Sequence, residues 1–170
     1  MDDSDNFWYS QGLRFECQRC GSCCSGDPGI VQFTEEEGRA MADELGLSWE
    51  MFLDRLALEY KGHYFLKDVR CEYGFDCVLL SRNLKKVSTG CLAHRSRPLQ
   101  CRTWPFWPEN LFSPESWAEA AERCPGINQG RLFTFDEIEV ELAKNDFTPC
   151  TPPPIKMGHT SNKVAWPEKK

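Results

Sequence analysis

Cys17-Gln18-Arg19-Cys20-Gly21-Ser22-Cys23-Cys24 places four thiols within eight residues. Cys17 and Cys20, with two residues between them, can face one metal ion while backbone N–H groups of the turn point at the first sulfur. Gly21 supplies the left-handed backbone that such a knuckle often needs. Extended to Cys23, the pattern becomes Cys-x2-Cys-x2-Cys, the three-ligand spacing of bacterial iron–sulfur proteins. In those proteins a further cysteine followed by proline completes the set, and Cys124-Pro125 has that form. The doubled Cys23-Cys24 implies two neighbouring centres, or one centre beside a redox-active thiol, because adjacent side chains point in different directions.

The remaining cysteines are Cys71, Cys77, Cys91, Cys101, Cys124 and Cys150, ten in all in a chain of 170 residues. That length predicts one domain. Hydrophobic residues at 41% and charged residues at 27% are those of a soluble globular chain. A net charge of −6 argues against whole-chain attraction to nucleic acid. No run approaches the roughly 18 apolar residues of a membrane span. Met1-Asp2-Asp3-Ser4-Asp5-Asn6 has neither the basic nor the apolar region of a secretory signal, so the expected compartment is the cytoplasm. In a reducing cytosol ten cysteines are expected as metal ligands, and the disulfide-scaffold alternative loses its support.

Thr34-Glu35-Glu36-Glu37 is a capping box, and Gly46 is the matching stop. Ser48 caps a second helix with an apolar stripe of Trp49, Phe52, Leu53 and Leu56. Residues 34–59 carry eight Asp/Glu against two Arg, which a solvated helix face accounts for. His63-Tyr64-Phe65-Leu66 and Cys77-Val78-Leu79-Leu80 read as strands, followed by a turn around Asn83, Lys85 and Lys86. Residues 91–110 read as loop with short helical turns. Ser113-Pro114 opens a helix to Arg123, and Thr134 to Glu137 opens another to about Lys144. The fold class expected is α+β: a small single domain of helices and loops with short strands, organised around cysteine-bound metal. Residues 1–11 form an N-terminal segment, 12–147 the domain and 148–170 a flexible proline-rich tail.

Residues 82–102 hold Arg82, Lys85, Lys86, Arg95, Arg97 and Arg102 and no acid. Cations beside thiolates stabilise them, so this run is read as charge compensation for an anionic centre. Arg97 and Arg102 are the candidate cofactor contacts, Arg97 toward a cluster sulfur or a substrate carboxylate. Trp104, Phe106 and Trp107 form either a wall around the centre or ordinary core.

Cys17-x2-Cys20-Gly21-x-Cys23-Cys24, Cys77-Val78-Leu79-Leu80, then Cys91-x5-Arg97-Pro98-Leu99-Gln100-Cys101-Arg102-Thr103-Trp104-Pro105-Phe106 and Cys124-Pro125-Gly126, taken in order, resemble the YkgJ-like CxxCxxCC cysteine-cluster family. The resemblance covers about residues 12–145. It implies a zinc- or iron-chelating domain with eight metal ligands: Cys17, Cys20, Cys23, Cys24, Cys77, Cys91, Cys101 and Cys124. Cys71 and Cys150 fall outside it. The family pattern usually has tyrosine where His94 stands, so His94 is expected as a packing or surface residue. His63 and His159 are expected to be ordinary.

The leading functional expectation is an iron–sulfur protein, of the 4Fe–4S kind, with a redox or group-transfer role. A zinc-stapled, non-catalytic interaction module is the first alternative, since eight thiolates also suit two Zn2+ sites. A protein-lysine N-methyltransferase is the second: the resembling family includes flagellin lysine N-methylases, but this chain has no recognisable glycine-rich S-adenosylmethionine loop. Expected partners are a protein or a small molecule, not nucleic acid.

Overall fold

The computed structural model describes residues 6–27, 29–83 and 88–145, apart from the side chains of residues 83, 88 and 89. Lys85, Lys86, Cys150 and the tail expected over 148–170 lie outside the described residues. Among the described residues, the first half of the chain runs β1 (Leu13–Phe15), a 3-10 turn (Ser22–Cys24), β2 (Ser25–Gly26), β3 (Gln32–Phe33), α1 (Glu35–Leu45), α2 (Trp49–Leu56), β4 (Ala57–Tyr60), β5 (His63–Leu66) and β6 (Asp68–Cys71). The second half runs β7 (Gly74–Cys77), β8 (Leu80–Asn83), β9 (Ser88–Cys91), α3 (Leu99–Arg102), α4 (Pro108–Leu111), α5 (Pro114–Arg123), β10 (Arg131–Phe133) and α6 (Phe135–Ala143). This is a mixed α+β domain, as the sequence predicts.

The helices begin where their caps dictate. Thr34 accepts from the Glu37 N–H at 3.2 Å, and the Glu37 carboxylate accepts from the Thr34 N–H at 2.9 Å. Gly46, at φ 69°, takes the left-handed backbone that ends α1. Ser48 caps α2, Ser113 caps α5 with Pro114 in the first turn, and Thr134 forms a second capping box on α6.

The strands form four small antiparallel sheets, β1-β10, β2-β7-β6, β3-β5-β4 and β8-β9. The strand expected over Cys77 to Leu80 is broken: β7 ends at Cys77 and β8 begins at Leu80. Val78 N–H donates to the Lys67 carbonyl, and the Leu79 carbonyl accepts from the Leu92 N–H. Both side chains turn into the core, and the chain changes sheets there.

Two apolar clusters result. The first joins Phe33, Met41, Phe52, Leu56, Leu66 and Leu79, with Cys77 and Cys91 packed against it. Phe52 sits between Trp49 (stacked, centroids 5.9 Å) and Phe33 (edge-on, 5.8 Å). The second joins Tyr9, Phe106, Trp117, Ile127 and Ile138, and includes Cys124. Fully burying side chains of this size contributes about 1.5–3 kcal/mol each. Cysteines stand on the walls of both clusters.

Candidate metal centre

Strand pairing brings distant cysteines together. Ser25 pairs with Asp76, so their chain neighbours Cys24 and Cys77 are drawn side by side. Cys91 pairs with Leu80, three residues beyond Cys77. The chain then loops through residues 92–98 into α3, which carries Cys101. Cys124 ends α5 and is tied to the first cluster by β1: Glu16 N–H donates to the Gly126 carbonyl at 3.0 Å, and Asn128 N–H to the Arg14 carbonyl at 2.9 Å. Gly126 is required here, because a Cβ would strike the Glu16 carbonyl.

Cys17, Cys20, Cys23, Cys24, Cys77, Cys91, Cys101 and Cys124 all line one cavity of about 120 Å³. None of the nine described cysteines is joined in a disulfide. The knuckle is left-handed at two places, Gly21 (φ 79°) as expected and Arg19 (φ 52°), which the sequence did not reveal. Cys23 Sγ and Cys24 Sγ lie 3.8 Å apart. The two neighbours therefore converge rather than diverge, and their separation is close to the roughly 3.8 Å edge of a zinc–thiolate tetrahedron with ~2.3 Å bonds. Among the described residues no three donors yet converge on one point closely enough to ligate a single ion.

The eight cysteine donors are soft sulfur, which suits zinc, copper(I) or iron–sulfur centres and not magnesium or calcium. Their electrostatics call for a cation. Burial pushes the Cys77 thiol up to about 12, and burial and neighbouring thiols also raise Cys91 and Cys101. Cys23 is lowered to about 7, by the hydrogen bond from Cys24 and by the nearby Arg97 guanidinium, and Cys24 is raised in return. A group of thiols this close cannot ionise together in the protein alone. A bound cation reverses that balance and deprotonates its ligands.

Among the described cations of the basic run 82–102, one lines the cavity. Arg97 points Nη1 at Cys17 Sγ, 4.0 Å away, and lines the cavity. Arg102, also expected at the centre, reaches toward Glu37 at 3.5 Å and does not line the cavity. Arg82 makes a two-point pair with Asp76, both contacts 2.8 Å, and Arg95 faces Glu44. Of the three aromatic residues, Trp104 lines the cavity and donates its indole N–H to Cys124 Sγ at 3.4 Å. Phe106 is core, and Trp107 donates to the Gln100 carbonyl. His63 contacts Gln32 Nε2 through Nδ1 at 3.1 Å, an ordinary strand-to-strand contact. His94 lines the cavity, with Nε2 3.9 Å from Cys17 Sγ. Burial and the cations of Arg97 and Arg19 lower its pKa.

The acidic face of α1 does more than meet solvent. Glu37 accepts from the Leu99 N–H at 2.7 Å, and Glu44 accepts from the Ser96 N–H at 2.9 Å and the Ser96 hydroxyl at 2.6 Å. Gln100 bridges the same loop to β3, accepting from the Gln32 N–H at 3.0 Å and donating to the Ile30 carbonyl at 2.8 Å. These bonds fix the loop between Cys91 and Cys101. No local sequence signal marked them; the spacing Glu37 to Glu44, two helical turns on one face, is the only trace.

Burial alone would raise the Glu44 carboxyl, but the Ser96 hydroxyl and the Ser96 and Arg95 N–H groups hold it below its ordinary range. A carboxyl lowered in the fold contributes stability that is present above the unfolded value of about 4.3 and lost as pH falls through the folded value. Urea midpoints measured from about pH 7 to about pH 3 are therefore expected to fall more steeply for the native chain than for Glu44→Gln. Parallel curves would remove Glu44 from this role.

The family profile described as "Putative zinc- or iron-chelating domain", CxxCxxCC, matches residues 16–125. An uncharacterized protein of Methanocaldococcus jannaschii is 28% identical over 98 residues, 58% of this chain and 48% of that relative. The chain thus spans about half the length of the relative it matches. No solved structure matches it.

Proposed function

Because the chain belongs to the CxxCxxCC family of zinc- or iron-chelating domains, we propose that it is a cysteine-cluster metalloprotein holding an iron–sulfur cluster of the 4Fe–4S kind. The ligands are drawn from Cys17, Cys20, Cys23, Cys24, Cys77, Cys91, Cys101 and Cys124. The observation that carries this reading is their shared cavity: eight thiols from across more than a hundred residues line one space. At about 120 Å³ it has roughly ten times the room one water needs. That suits a group of several heavy atoms better than one ion.

An iron–sulfur cluster supplies one-electron transfer or, with an iron left open, a Lewis-acid site for group transfer. The chain's own residues set the conditions. Arg97 offsets thiolate charge, and the Trp104 N–H on Cys124 withdraws charge from that sulfur, a recognised lever on cluster potential. Cys17 and Cys23 are exposed, and they mark the side from which a protein or small-molecule partner approaches. Free thiols among the described residues suit a reducing compartment such as the cytoplasm. Among the described residues no helix is long and apolar enough to cross a membrane.

Zinc is the second reading, favoured by the 3.8 Å separation of Cys23 Sγ and Cys24 Sγ. Anaerobic purification followed by iron, acid-labile sulfide and zinc analysis separates the two. Brown protein with iron and sulfide in equal amounts is expected. Colourless protein with stoichiometric zinc overturns the cluster and establishes the zinc reading. Protein that takes up neither metal overturns both.

A further inference from the structure

One imidazole lines the cavity beside the cysteines. His94 turns its imidazole into the ring of thiols, with Nε2 3.9 Å from Cys17 Sγ across 77 residues of chain. Among the described residues that sulfur is the one polar atom within hydrogen-bonding range of the ring. His63 offers the contrast, since its Nδ1 is engaged by Gln32 in a plain structural contact. The His94 ring is aimed by its own loop. Arg97 Nε donates to the His94 carbonyl at 2.9 Å, which closes the turn, and the same guanidinium reaches toward Cys17. Glu44 holds the next two residues, Arg95 and Ser96, through their N–H groups. The imidazole is thus a positioned side chain.

We propose that His94 is a metal ligand, binding through Nε2 the ion held by Cys17 at the exposed rim of the cavity. The proposal rests on the metal-binding reading above and adds a nitrogen donor to it. Imidazole suits zinc and iron, and the neutral ring is the form that ligates. The rim then carries a mixed sulfur–nitrogen site, while Cys77, Cys91 and Cys101 stand deeper in the cavity as sulfur-only donors.

The test is titration of Co2+ into the reduced, metal-free full-length chain, followed by absorption, for native protein, His94→Gln and His94→Cys. Nitrogen and sulfur donors give distinct cobalt bands, so the readout is spectroscopic. Native protein is expected to show a band set shared between nitrogen and sulfur. His94→Gln should bind the rim cobalt at least about 10-fold more weakly, the lower end of what even outer-shell partners of a metal cost. His94→Cys should restore affinity and gain thiolate-to-cobalt absorption; because it replaces the ring and still binds, it separates loss of a ligand from loss of fold. If both variants match native protein in affinity and spectrum, His94 is not a ligand and the metal-binding reading stands. If native protein takes up neither Co2+ nor iron with sulfide, the metal-binding reading fails and this proposal fails with it.

Discussion

A strong chelator added to the reduced, metal-loaded protein is expected to unfold most of the chain in one cooperative step. The reason lies in where the cysteines stand. Cys77 and Cys91 pack against the first apolar cluster and Cys124 is part of the second, so the cavity is the seam between them. Short strands line that seam; β2 has two residues and β7 four. Such strands do not hold a buried group of thiols together unaided. Structural zinc contributes about 10–16 kcal/mol to folding in small domains, and a native domain is stable by only about 5–15 kcal/mol. Removing that contribution outweighs what remains. Tryptophan fluorescence reads both halves, since Trp49 flanks the first cluster and Trp117 lies in the second. The two signals should be lost together with the far-ultraviolet dichroism. A chelated protein that keeps its melting temperature would show instead that the metal sits on a scaffold already folded.

The parts of this fold that were legible in the sequence are the local ones. A capping box needs four consecutive residues, and Thr34 to Glu37 and Thr134 to Glu137 both announce their helices. The αL stop at Gly46 is equally self-contained. The strands were harder. At two to four residues they carry too little alternation to show a period, and β4 follows α2 with no turn residue between them. The cysteine positions named the candidate ligands, but not which sit beside which. That depends on pairings such as Ser25 with Asp76 and Leu80 with Cys91, which are long-range or cross a hairpin. The acidic face of α1 was misleading for the same reason. Glu44 is indistinguishable in sequence from its solvated neighbours, and the capping box that marks Glu37 does not announce its second bond, to the Leu99 N–H, until the 92–98 loop folds onto α1. His94 sat outside the family pattern, and only the fold turns it toward Cys17.

Replacing Cys101 by alanine is expected to abolish or cripple metal retention, while Cys71→Ala leaves it intact. Both are half-buried thiols, so exposure alone does not separate them. Their neighbours do. Cys101 lies on α3 in the cavity wall, where Cys77, Cys23 and Cys91 act on it electrostatically. Cys71 ends β6 beside Asp76 and Arg82, outside the cavity lining. Loss of a ligand removes a metal bond and leaves the opposing thiols buried and protonated. An outer-shell change already costs about 10–100-fold in affinity, so a ligand change should cost at least that, with a large fall in melting temperature. A substitution away from such features stays within about 0.5 kcal/mol. Metal content per chain after gel filtration, measured beside thermal melts for both variants, decides the matter. Equal retention by Cys101→Ala and native protein would remove Cys101 from the ligand set. Equal loss in both variants would mean that the metal answers to overall thiol content, and the shared cavity would no longer explain which cysteines bind it.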